Sequence, residues 1–174
     1  EFFERFDVEP PRLERSAFVW GHCHHKATGG IDPEVQLLQR MGVEVETLKA
    51  GCCGLAGSWG FEAGHHELSM QVGEQGLLPR VREFDDETII VADGFSCKTQ
   101  IEQGGTGRRA LHVAQVLKLA REHGPSGPEG PKPERLYYKV RPRSSLSRKA
   151  ANAAVLAVAT AGTVAFVSAT MRRR

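Results

Sequence analysis

Three short stretches of the chain carry the apolar patterns of strands. Residues 16–20 (SAFVW) form a β-branched and aromatic run behind a Pro-Pro turn, 43–48 (VEVETL) alternate apolar and polar after a glycine, and 88–92 (TIIVA) are continuously apolar. Helical spacing fills the intervals. Asp32, Pro33 and Glu34 read as N-cap, N1 proline and first-turn acid of a helix through Leu37, Leu38 and Met41 that stops before Gly42. From Phe61 to about Arg82 the apolar positions Leu68, Val72, Leu77 and Val81 predict helix, interrupted near Gly73, Gly76 and Pro79. Residues 108–122 predict a further helix on Leu111, Val113, Val116, Leu117 and Ala120. Strands alternating with helices imply right-handed βαβ units and a mostly parallel sheet. The expected fold is therefore α/β, a Rossmann-like layered domain over residues 1–123, with no internal repeat.

Past His123 the composition turns to Gly and Pro (GPSGPEGPKP), so 124–149 read as a basic Pro/Gly-rich linker and 150–174 as an Ala-rich helix. Charge divides the same way. Residues 124–174 carry +8 and leave −6 on the first 123, although the whole chain is only +2. A uniformly basic nucleic-acid binder is a poor reading of such a chain, and no nucleic-acid-binding motif supports one. Residues 150–171 contain no charge and as a helix would span about 33 Å, enough for a bilayer. Nine alanines, Asn152 and four Ser/Thr make that span weakly apolar, and Ala157, Ala161, Gly162 and Ala165 would suit close helix packing. Membrane association through the basic flanks and packing of an Ala-rich helix on protein both fit this tail.

At 174 residues, 40% apolar and 25% charged, the composition is that of a soluble globular domain with appendages. The chain starts at Glu1 without Met and shows no secretory signal, which reads as a cut inside a longer protein. A reducing compartment makes metal or redox chemistry the better use of four cysteines than disulfides.

Each expected strand is followed by cysteine: Cys23 after the first, Cys52 and Cys53 after the second, Cys97 after the third. Ligands in open parallel sheets bind beyond the carboxyl ends of the strands, so the four thiols should converge at one edge. Thiolates are the ligands of iron–sulfur clusters and of structural zinc, and four complete either site. Gly51 and Gly54 let the backbone turn sharply around the vicinal pair, and the run Leu55 to Gly60 should lead into a helix whose N-terminus favours negative charge. Trp59 and Phe95 are candidates to exclude water from the centre, and His22 and His24 to act as metal ligands or as polar neighbours of the ligands. A buried cysteine is otherwise ordinary core filler, which leaves a metal-free packing domain as the third reading.

The blocks GHCHHK, AGCCGLAGSWGFEAGHHELSMQVGE and ADGFSCKTQIEQGGTGRRALH resemble the CCG cysteine-rich domain at the C-terminus of FAD-linked oxidases of the glycolate oxidase and D-lactate or D-2-hydroxyacid dehydrogenase type. Related CCG domains occur in heterodisulfide reductase and anaerobic glycerol-3-phosphate dehydrogenase. The resemblance covers residues 16–117 and departs at Gly94, where many such domains carry the first cysteine of a Cys-x-x-Cys pair. With four thiols rather than five, a [4Fe-4S] cluster or a zinc ion fits the count. The resemblance implies an electron-transfer module, not catalytic alone. FAD would be in the parent protein or a partner, and a ferredoxin-like module nearby. Its implied location is cytoplasmic, with the tail as a contact to the inner face of the plasma membrane.

Overall fold

The computed structural model describes residues 3, 8–48 and 51–138, which lie in the first of the two units into which the chain divides, Glu1–Tyr138. The Ala-rich segment 150–174 lies outside the described residues. Among those described, no helix is long and apolar enough to cross a membrane.

The sheet has three strands, β1 (Ser16–Val19), β2 (Glu44–Thr47) and β3 (Ile89–Val91), in the order β2-β1-β3 and all parallel. Ala17 pairs with Val45 on one side and Ile89 on the other, and Val19 pairs with Thr47 and Val91. The expected open α/β layering is thus what forms. β2 is an edge strand, and its exposed Glu44 and Glu46 discourage pairing with another chain. The far edge is closed by Leu111, which bridges Val91 in parallel through Leu111 N–H to the Ile90 carbonyl (2.8 Å).

Both faces of the sheet are buried because side chains alternate along each strand. Ala17, Val19, Ile89 and Val91 face Leu38 and Met41 at α2 (Asp32–Arg40) and Val116, Leu119 and Ala120 of α6 (Val113–His123). Phe18, Trp20, Ile90 and Ala92 face Leu77, Leu78 and Val81 of α4 (Leu77–Glu83) and Cys97 and Ile101 of α5 (Phe95–Gln103). Each fully buried Phe or Leu contributes about 1.5–3 kcal/mol, so both layers are needed to hold strands this short.

Three local outcomes differ from the sequence pattern. Ile31 rather than Asp32 is the N-cap of α2, with Asp32 inside the first turn. The region from Phe61 resolves into a 3-10 turn (Trp59–Phe61), α3 (His66–Glu74) and α4, broken at Gln75 and Gly76. Pro79 is tolerated in α4 because it sits in the first turn, where its missing N–H costs no helical bond. Residues 108–112 are extended, and α6 starts only at Val113, where His112 Nδ1 accepts from Ala114 N–H and the Gln115 side chain accepts from His112 N–H.

From Gly124 to Tyr138 the chain stays on the domain. Arg15 donates to the carbonyls of Ser126 (2.8 Å) and Pro128 (2.6 Å), and the Tyr137 and Tyr138 hydroxyls donate to the carbonyls of Gln115 and Ala110. Glu134, in a 3-10 turn (Pro133–Leu136), meets Arg108 at 2.7 Å with both side chains almost fully buried. The same guanidinium donates to the Asp85 and Thr88 carbonyls at the start of β3. Glu134→Ala would leave that charge buried and unpaired, and we expect a loss of about 3–5 kcal/mol in urea unfolding. Arg135→Ala, on the exposed side of the same turn, should change stability by less than about 0.5 kcal/mol.

Candidate functional site

The four cysteines leave from the carboxyl ends of the three strands and meet on the α4/α5 side of the sheet. Cys23 is the first residue of α1 (Cys23–Thr28) and is exposed. Cys52 is half-buried, whereas Cys53 and Cys97 are buried with Phe18, Trp20 and Leu55. None is in a disulfide. Cys23 lies against Cys52, Cys52 against Cys53, and Cys53 against Cys97, so the thiols form a chain of contacts from surface to core. Among the described residues, no three His, Cys, Asp or Glu side chains make a ready group for a single metal ion.

The Cys52-Cys53 turn is held in place by glycine. Gly54 has φ +96°, and a Cβ there would stand 2.1 Å from the Ser69 carbonyl oxygen of α3, so only glycine allows the turn and helix to approach this closely. Gln100 of α5 donates to that same Ser69 oxygen at 2.9 Å, tying the helix of Cys97 to the turn. Gly60 seats against Ser69 and Leu55. Gly51 is exposed with open space where a Cβ would be.

Backbone amides point at sulfur. Gly54 N–H donates to Cys52 Sγ at 3.4 Å, and the Leu55 and Ala56 amides donate to Cys53. Cys53 is held below the usual thiol range, first by its hydrogen bond with Cys97 and then by these amides, against the opposing effect of burial. Cys97 is pushed up by that same bond and by burial, and Cys52 by burial first. Trp20 adds a further donor. Its indole N–H is buried with no hydrogen-bond partner and lies beside Cys97, where it favours the thiolate. Lys26 Nζ sits 4.5 Å from the centre of the Trp20 ring. The site therefore offers four thiols, amide N–H donors on Cys52 and Cys53, and one indole N–H without an acceptor, a donor set that suits a sulfur-rich anionic centre.

The other expected site residues are placed as follows. The His22 imidazole packs on Gly94, the N-cap of α5. His24 is exposed on α1. Trp59 stacks on His65, ring centres 4.2 Å apart, and His65 Nδ1 lies 3.1 Å from the Trp59 carbonyl. Phe95 does not shield the thiols: it is 79% exposed, because at the start of α5 it projects outward while Ser96 and Cys97 turn in. The helix ends at the site are those of α1 and α5, since α3 begins only at His66. Sequence reasoning missed Trp20 as a donor, although its position just before Gly21, His22 and Cys23 was a usable signal.

On the opposite side of the same sheet edge lies a second polar group. Asp93 accepts from Val113 N–H at 2.9 Å, and its other oxygen lies 3.5 Å from His112 Nε2. Glu34 of α2 is buried with Oε1 unpartnered. Burial, and then the charge of Asp93, push its pKa up to about 8.

Fold and site together define a cysteine-rich α/β module with a thiol centre at the carboxyl edge of a parallel sheet. The chain is 34% identical over 105 residues to D-2-hydroxyglutarate dehydrogenase of Escherichia coli, covering 59% of this chain and 10% of that protein. It is 32% identical over 116 residues to the protein of the same name from Pseudomonas putida (64% and 11%). It is also 31% identical over 101 residues to one subunit of the anaerobic glycerol-3-phosphate dehydrogenase of Escherichia coli (56% and 24%). These relatives bear out the resemblance to CCG-domain oxidoreductases read from the cysteine blocks. The chain spans about a tenth of the length of the first two relatives and about a quarter of the third. No family model and no solved structure matches it.

Glu34 generates a pH prediction. The folded protein keeps this proton up to about pH 8, whereas the unfolded chain releases it near 4.5. Its contribution to stability is full below 4.5 and is lost as pH rises through about 8. Glu34→Gln should therefore match the parent in acid and be more stable by on the order of a few kcal/mol at about pH 9, measured by denaturant unfolding across pH.

Proposed function

We propose that this chain is the electron-transfer module of a FAD-linked 2-hydroxyacid dehydrogenase, of D-lactate or glycolate type, holding a [4Fe-4S] cluster on Cys23, Cys52, Cys53 and Cys97. The observation that carries the reading is the convergence of four thiols from three strand ends beside a buried Trp20 N–H that lacks an acceptor. A cluster bound there would take electrons one at a time from the flavin of the parent protein or a partner subunit and pass them to a downstream acceptor, with a ferredoxin-like module as neighbour.

The chain's own residues do the rest. Cys53 and Cys97, inside the core, and Cys52 and Cys23, nearer solvent where a partner can approach, would hold the cluster. The amides of Gly54, Leu55 and Ala56 donate to sulfur, and the Trp20 indole N–H, without an acceptor in the protein, would be free to donate to a cluster, which would stabilise its negative charge and tune its potential. We further propose that the module works in the cytoplasm, with the basic tail at the inner face of the plasma membrane.

Protein purified without oxygen should contain about four irons per chain with matching sulfide and a broad visible absorption that bleaches on reduction. Ser at Cys53 or Cys97 should abolish that absorption and drop iron below about one per chain. A colourless protein with one zinc would select a structural module instead, since zinc has no redox chemistry. Four freely alkylated thiols and no metal would overturn both metal readings.

A further inference from the structure

The contact between His22 and Gly94 joins two of the three cysteine loops. A Cβ built on Gly94 would stand 2.4 Å from His22 Cδ2, 2.9 Å from Cγ and 3.1 Å from Cβ. The ring therefore rests directly on the Gly94 backbone, and even the root of the side chain is close. Swinging the ring tip aside would not make room for another side chain at 94. His22 is the N-cap of α1, whose first residue is Cys23. Gly94 is the N-cap of α5, whose third residue is Cys97. His22 makes no side-chain hydrogen bond to its own helix, so its ring is not used for capping.

We propose that His22 is a positioning residue for the cysteine site: seated on the Gly94 backbone, its imidazole keys the start of α1 to the start of α5 and so fixes Cys23 relative to Cys97. This rests on the cysteines being a common ligand set, but the steric pairing stands apart from what they bind. The departure at position 94 then has a physical cause. Glycine there is the seat of the imidazole, and His22 takes the volume that a side chain at 94 would need. The imidazole thus sits at the starts of both cysteine-bearing helices, without being needed to complete four-thiolate ligation.

The test is a double-mutant cycle in the full chain with His22→Ala, Gly94→Ala and the pair. Gly94→Ala alone should force the ring out, and His22→Ala alone should empty its seat. In the pair the methyl group introduced at position 94 enters space already vacated, so the single effects should fail to add, by about tenfold in the folding equilibrium constant. In the metal-loaded protein grown with nitrogen-15-labelled histidine, pulsed electron paramagnetic resonance of the reduced centre should detect a coupling to an imidazole nitrogen. That coupling should be lost in both single variants, while His22→Gln, which keeps a polar side chain of similar reach, should restore the stability but not the coupling.

Additive effects on folding, or an unchanged imidazole-nitrogen coupling in Gly94→Ala, would overturn the proposal. A chain that takes up no iron would fail the proposed function, yet the cycle, read by urea unfolding of the metal-free protein, would still support the pairing if non-additive and overturn it if additive.

Discussion

Everything at the thiol site depends on β1 having parallel neighbours on both sides. With Val19 level with Thr47 on one flank and Val91 on the other, all three strands end at the same edge. The loops that follow must then start within a few residues of one another in space. The same pairing makes β1 a strand with no solvent face, so Phe18 and Trp20 point into one layer and Ala17 and Val19 into the other. Helices on both sides are a requirement of that burial, and two of the cysteines belong to the resulting core. The site is therefore continuous with the hydrophobic interior.

That continuity sets the chemistry. A thiolate in an apolar layer is costly unless donors surround it. The structure supplies them from the turn amides after Cys53, and it places the unpartnered indole N–H of Trp20 beside Cys97. Close backbone approach is what makes this geometry available, since the Gly54 contact with Ser69 brings α3 against the turn and Gln100 locks α5 to the same oxygen. At the opposite end of β3, Arg108 satisfies two carbonyls and a carboxylate, so the strand bearing the third cysteine loop is fixed at both ends.

The three strands and the convergence of their cysteines were legible in the sequence because continuous or alternating apolar runs, each followed by a glycine–cysteine block, leave few alternatives. The helix of Cys97 was not legible. Its inward positions, Ser96, Cys97, Gln100 and Ile101, are mostly polar, so the apolar period is weak. Residues 108–112 had helical spacing, but Leu111 is used to pair with Val91 and Arg108 to bind loop carbonyls, tertiary demands that override local pattern. The course of 124–138 was hidden because what holds it there are backbone carbonyls, two tyrosine hydroxyls and one buried carboxylate rather than apolar side chains. Phe95 was misjudged because hydrophobicity alone does not say on which side of a helix start a ring will fall.

The most direct measurement of whether the four thiols hold a cluster is X-ray absorption at the metal edge of the protein purified without oxygen. We predict an iron edge with sulfur as the nearest neighbour and a second shell of iron, the signature of a cluster held by Cys23, Cys52, Cys53 and Cys97. A zinc edge with four sulfurs at about 2.3 Å and no metal–metal shell would contradict it.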